Sequence, residues 1–190
     1  STAQNIKKIS TLSKELPIKI MMLFDLAYGK QVFSNHVPAI LPIERDNMIL
    51  VSGYGERIHP IFKTLRMHNG VDFAARQGTD VAATGNGTVI NTPKSIEGLG
   101  NTVTIDHGFG YISIYGCLLK SDVRRGQKVS RGQVIGTVGK SGMASGPHLH
   151  YEVWYQNKAI NPIKHIFMSV SPMEFQKLLE RASKKNQSMS

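Results

Sequence analysis

The apolar positions of this 190-residue chain change their period along its length. Ile6, Ile9, Leu12 and Leu16 recur at helical spacing, Pro17 interrupts them and Gly29 offers a stop, so residues 5–28 read as a helical arm in two pieces. Residues 37–48 contain Pro38 and Pro42, show no sustained period and read as an extended linker. Short β-branched segments then take over, at 48–52, 80–83, 87–91, 102–106, 111–115, 134–138 and 150–155. Farther on, Ser171-Pro172-Met173-Glu174 has the form of a capping box with proline at the first helical position. Phe175, Leu178, Leu179 and Ala182 follow at i, i+3, i+4 and i+7, which predicts a packing helix with a polar tail after Lys184.

Fifteen of the 18 glycines fall between Gly70 and Gly146, and turns that dense leave little room for long helices. The expected class is mainly β: a glycine-rich antiparallel sandwich or open barrel of barrel-sandwich hybrid type, with helical extensions at both ends. Three parts are expected: an arm and linker at 1–47, a β-rich domain at 48–166, and a helix with a polar tail at 167–190. Within the middle part, the glycines of 123–136 resemble those of biotinyl and lipoyl carrier domains, a likeness of fold and not of activity.

Hydrophobic residues at 41% and charged residues at 19% place the chain among globular proteins and exclude disorder or collagen-like repetition. The net charge of +10 favours a polyanionic neighbour, such as an acidic wall polymer. That excess is spread along the chain with no Lys/Arg block interleaved with aromatics, so nucleic acid is not an expected partner. The longest apolar run, Ile20 to Phe24, is far short of the ~20 residues of a bilayer span. A single cysteine, Cys117, excludes an internal disulfide framework and a zinc site built from several cysteines. The sequence opens on Ser1, which is compatible with an upstream signal or anchor.

Candidate chemistry begins with His148-Leu149-His150 at the head of a strand-like run. Side chains alternate along a strand, so His148, His150, Glu152 and Trp154 share one face, with the two histidines about 6 to 7 Å apart. That spacing lets one imidazole bind a metal while the other stands beside it as acid or base. His68-Asn-Gly-Val-Asp72 adds a nitrogen and a carboxylate four residues apart. Either element alone is commonplace; together they offer two nitrogens and one oxygen, three corners of a tetrahedral zinc site with the fourth left for water. Other motifs fail: Gly139-Lys140-Ser141 lacks the earlier glycine of a phosphate loop, and Gly85-Asn-Gly87 and Gly108-Phe-Gly110 lack the third glycine of a dinucleotide fingerprint.

The ordered set resembles the lysostaphin-like, LytM-type zinc metallopeptidases that cut peptidoglycan peptides. It runs from Ser52-Gly-Tyr-Gly-Glu-Arg57-Ile-His-Pro60 through His68-Asn-Gly-Val-Asp72 and Asn101-Thr-Val-Thr-Ile-Asp106-His107 to Ser145-Gly-Pro-His-Leu-His150 and Asn161-Pro162. The resemblance implies that His68, Asp72 and His150 hold one Zn²⁺ and that His148 is a non-ligand histidine acting in catalysis. It further implies a peptidoglycan substrate and an exported, periplasmic or envelope-associated protein. Arg57, Asn101 and Tyr115 are its candidate substrate contacts, each with a bland alternative: a surface pair for Arg57, a turn for Asn101. Glu152 is a candidate support for a ligand imidazole.

One departure stands out: where the family carries a second non-ligand histidine in Tyr-x-His-Leu, this chain has Tyr115-Gly116-Cys117-Leu118. Three readings follow. Hydrolysis is lost and a zinc-loaded wall-binding or amidase-regulating module remains; or His148 works alone and more weakly, helped by Tyr115; or the Cys117 thiolate closes the site as a fourth zinc ligand. A carrier-protein function is the remote third class, because no lysine stands in an obvious hairpin-tip motif. The arm at residues 1–36 is expected to pack on the back of the β core, with covering of the cleft as the alternative.

Overall fold

The computed structural model describes residues 32–59, 62–96, 98–166, 168–184 and 187–189, together with Leu23. The helical arm expected at 5–28 thus lies outside the described residues, Leu23 excepted. Among the described residues, a short helix α1 (Val32–His36) is followed by a 3-10 turn (Arg45–Asn47) and thirteen strands. The strands are β1 (Met48–Ser52), β2 (Gly55–Ile58), β3 (Leu65–His68), β4 (Val71–Ala75), β5 (Asp80–Ala82), β6 (Gly87–Asn91), β7 (Lys94–Ile96), β8 (Gly100–Gly108), β9 (Tyr111–Ser121), β10 (Lys128–Val129), β11 (Val134–Val138), β12 (His148–Tyr155) and β13 (Lys158–Ile160). A second 3-10 turn (Pro162–His165) and the helix α2 (Pro172–Ser183) complete the order.

Eleven strands form one antiparallel sheet whose main path is β1-β4-β12-β9-β8-β6-β10, while β2 and β3 pair as a separate ribbon. The mainly β class is therefore as the glycine pattern implies. All seven strands read from the sequence are present, several of them longer than read, and β2, β3, β4, β7, β10 and β13 are additions. All but β4 carry two to four residues, too few for alternation to register, and β4 opens on three consecutive buried residues, which hides the alternation there.

The first part of the expected linker, residues 37–43, is instead buried in the β body, while residues 44–47 are exposed. Val37, Ala39, Leu41 and Ile43 are all buried and join the same core cluster as Phe73, Val81, Ile105 and Tyr111. Their backbone is tied on both sides, with Ala39 N–H donating to the Thr84 carbonyl and Ala82 N–H to the Pro42 carbonyl. Pro38 and Pro42 are buried with them and Ile40 is only partly covered, so no period of two marks the segment. Helix α2 forms as its signals require: Ser171 Oγ accepts from Glu174 N–H, and Glu174 reaches back to Ser171 N–H at 2.7 Å.

Behind the site, the core carries a polar chain. Tyr151 donates to Thr84 Oγ1 (2.8 Å), which lies 2.9 Å from the Tyr115 hydroxyl; Tyr115 is 3.1 Å from Ser113 Oγ, and Ser113 is 2.7 Å from His107 Nε2. His107 Nδ1 completes it at 2.8 Å from the Asn86 carbonyl. A neutral imidazole fits this position, one nitrogen donating to a carbonyl and the other accepting from a hydroxyl. Burial lowers the His107 pKa to about 4, against the smaller raising effect of its Asn86 bond.

The unfolded chain then binds a proton on His107 more readily than the folded one. Its contribution to stability is complete above about pH 6.5 and is lost as pH falls towards 4, by up to about 3 kcal/mol. Urea unfolding from pH 7 to 4 is expected to show this slope, and His107→Asn to flatten it relative to the parent.

Candidate metal centre

Strand pairing assembles the centre. In β12 and β4, His150 lies opposite Asp72, and in β12 and β9, His150 lies opposite Gly116. Gly70 allows the close approach of the turn between β3 and β4, because a Cβ there would sit 2.4 Å from the Tyr151 carbonyl oxygen. His68 arrives from the end of β3, so the ribbon supplies one donor and the large sheet the other two.

The three donors converge. His68 Nε2 is 3.1 Å from Asp72 Oδ1 and 3.2 Å from His150 Nδ1, and His150 Nδ1 is 2.9 Å from Asp72 Oδ1. A tetrahedral zinc with bonds of ~2.0–2.1 Å needs donor separations of about 3.3 Å, so the triangle is close to the size the ion requires. Among the described residues this is a group of three His, Cys, Asp or Glu side chains able to share a metal, and Cys117 is not a member of it. The fourth-ligand reading of Cys117 therefore has no support in the geometry.

The outer partners orient the donors. The other nitrogen of His68, Nδ1, lies 2.7 Å from the Gly53 carbonyl, and His150 Nε2 lies 2.9 Å from Glu152 Oε1. Each ring donates through the nitrogen that faces away, which leaves the inner nitrogen to a cation. Glu152 is itself held by Trp154 Nε1, which donates at 2.6 Å. Sequence alternation anticipates this row, with His148, His150, Glu152 and Trp154 on one face.

Charge at the centre follows from these contacts. Burial alone would raise the Asp72 pKa, but the His68 charge and the bonds from His150 and His68 outweigh it and hold the carboxyl well below the usual range. Burial likewise opposes charge on His150, yet its bonds to Asp72 and Glu152 raise it to about 9. Glu152 is held low against its own burial, chiefly by His150.

His148 stands beside the triangle. Its Nδ1 is 2.9 Å from the Gly146 carbonyl and its Nε2 is 3.9 Å from Asp72 Oδ1. Nε2 is buried with no hydrogen-bond partner among the described residues. Burial lowers the pKa of His148 despite the nearby Asp72 carboxylate. A neutral ring whose Nδ1–H is committed to a carbonyl keeps an unprotonated Nε2 at the site.

The remaining candidates fall in different places. Cys117 is buried in a bulge of β9, with φ of 60° and its N–H on the Leu99 carbonyl at 2.7 Å. The bulge places it directly after Gly116, the ladder partner of His150. Tyr115 points to the opposite face, into the polar chain with Thr84 and Ser113, as its pairing with Tyr151 demands. Arg57 donates to the Ala182 carbonyl at the end of α2 (2.7 Å) and to the Glu56 carbonyl. Asn101 donates to the Leu118 and Leu119 carbonyls, and its backbone N–H donates to Ser141 Oγ.

A further contact has no signal in the sequence pattern. Met189 N–H donates to Asp72 Oδ2 at 2.7 Å, so a residue of the polar tail reaches the centre.

Residues 66–162, just over half of the chain, match peptidase family M23, and the chain belongs to that family. It is 45% identical over 108 residues to the peptidoglycan DD-endopeptidase ShyA of Vibrio cholerae serotype O1, a match covering 57% of this chain and 25% of that protein. The chain thus spans about a quarter of the length of that relative. Among solved structures, a zinc-containing peptidase from Vibrio cholerae superposes with a TM-score of 0.59 at 38% identity, over 64% of this chain and 37% of the other. The catalytic domain of lysostaphin from Staphylococcus simulans gives 0.54 at 32% identity, over 59% and 86%.

The support from Glu152 is open to measurement. Glu152→Gln removes the carboxylate behind His150 and is expected to weaken metal affinity about 10- to 100-fold, by competition against a chromophoric chelator with zinc as the probe. The fold should persist, because Gln can still accept from Trp154.

Proposed function

We propose that this chain is a zinc-dependent endopeptidase domain that hydrolyses peptide cross-links of bacterial peptidoglycan, and that it works in the cell envelope after export. The observation that carries the reading is the His68, Asp72 and His150 triangle with His148 beside it. Membership of a peptidase family and the DD-endopeptidase name of the ShyA relative support the substrate class. The net charge of +10 suits an anionic wall.

His68, Asp72 and His150 hold the ion. Zinc, when bound, supplies a Lewis acid that polarises the scissile carbonyl and makes water nucleophilic near neutral pH. His148 Nε2 is the acceptor for the proton released by the attacking water, and it returns that proton to the departing amine. The Gly146 carbonyl holds the ring in the tautomer this needs. Cys117 stands where the family resemblance places a second imidazole. A thiol is a poor hydrogen-bond donor and brings no positive charge to a developing oxyanion, so hydrolysis here is slower than with histidine by on the order of 10²-fold.

That same residue favours a second reading, a zinc-binding domain that engages the wall without cutting it. Assays on purified cell wall separate the two. Zinc at one per chain, lost in His68→Ala and in His150→Ala, is expected by metal analysis under both, and a metal-free protein would remove both. His148→Ala should keep zinc and lose measurable hydrolysis, whereas Cys117→His should raise the rate by about 10²-fold if the missing imidazole limits it. A parent and a Cys117→His variant that are equally inert would establish the non-hydrolytic reading.

A further inference from the structure

The donors and His148 are buried. His148 and Asp72 are 0% exposed, His150 2% and His68 6%, although a hydrolytic site has to admit a peptide and a water. Part of what lies over it is the segment Gln187, Ser188 and Met189.

Apart from Lys63 Nζ, which donates to Gln187 Oε1 at 3.3 Å, that segment is held through its backbone. Gln187 forms a parallel bridge with Ile58 at the end of β2, and Ser188 N–H donates to the Ile58 carbonyl at 3.1 Å. Met189 N–H then donates to Asp72 Oδ2 at 2.7 Å. The Met189 carbonyl accepts from Ser145 N–H at 2.9 Å and from Ser145 Oγ at 3.2 Å. Ser188 is 5% exposed, so the chain is set into the surface rather than laid upon it.

An extended chain that bonds a strand edge on one side and a loop on the other is held as a bound peptide is held when it adds to a sheet. The ribbon offers the Ile58 carbonyl, the turn before β12 offers Ser145, and Asp72 lies between them. Apart from the Lys63 bond to the Gln187 side chain, the contacts are with main chain, which any peptide can supply.

We infer that residues 187–189 form an autoinhibitory strap that occupies the peptide groove and has to leave before a substrate strand can enter. The inference deepens the endopeptidase reading and rests on it for the identity of the displaced ligand. Backbone bonds with few side-chain anchors make the strap exchangeable: Gln187 is exposed, and Met189 is only partly buried. A substrate strand takes over the Ile58 and Ser145 bonds, while Asp72 keeps Oδ1 towards His68 and His150. Because the strap is tethered, its local concentration is in the millimolar range, so it competes with substrate without binding tightly.

Met189→Pro deletes the N–H on Asp72 Oδ2 and leaves the zinc donors in place; deletion of residues 185–190 removes the strap entirely. In stopped-flow experiments on the zinc-loaded protein, both variants should lose metal to a chelator at least about tenfold faster than the parent. With a soluble cross-linked peptide, both should lower KM more than they change kcat. The hexapeptide Lys-Asn-Gln-Ser-Met-Ser, added to the deletion variant at millimolar concentration, should restore slow metal loss. Unchanged or slower metal loss in both variants would overturn the strap, as would weakened hydrolysis in both, since the segment would then be a support for Asp72. If chelation accelerates and no form cuts peptide, the strap stands and the endopeptidase reading falls. Should no zinc bind, amide exchange at Ser188 and Met189 in the full chain still decides: protection supports the strap, and exchange at unfolded-chain rates overturns it.

Discussion

The centre depends on the register between β12 and β4. Opposition of His150 and Asp72 fixes one edge of the donor triangle, and a slip of one residue would turn every side chain of β12 to the other face. The register is itself secured from the far side of the sheet. Leu149, Tyr151 and Val153 alternate with the functional row and are fully buried in the core. The hydrophobic face that stabilises the strand thus also aims its histidines.

The polar chain behind the sheet adds to this. Tyr151 neighbours His150 in sequence, and its hydroxyl is tied through Thr84 and Tyr115 to Ser113 and His107. A fully partnered buried network admits few alternative packings, because any shift would leave a polar atom without a partner in a dry interior. Rigidity beneath β12 is what a site with small geometric tolerance requires.

Much of this was legible in the sequence where chemistry and alternation act together. The row His148, His150, Glu152 and Trp154 could be read from period two alone, and α2 from its capping box. Residues 37–43 are less legible, because Pro38 and Pro42, buried along with their neighbours, imitate a linker and leave no alternation to read. Tyr115 reads from the sequence as a candidate substrate contact, yet its hydroxyl lies on Thr84; its opposition to Tyr151, which decides its face, is a fact of pairing that no single strand carries. Arg57 reads as a surface cation, while its partner, the Ala182 carbonyl, is 125 residues away. The covering role of Ser188 and Met189 left no trace, since backbone hydrogen bonds do not depend on side-chain pattern.

The separate ribbon gives the triangle a mechanical meaning. His68 rides on a two-stranded unit, whereas Asp72 and His150 belong to the eleven-stranded sheet. An ion gripping all three is a clasp between two bodies, in a chain whose lone thiol forbids a covalent one. Occupancy and ribbon docking are then thermodynamically linked: whatever pulls the hairpin outward loosens the ion, and saturation with metal stiffens the groove wall.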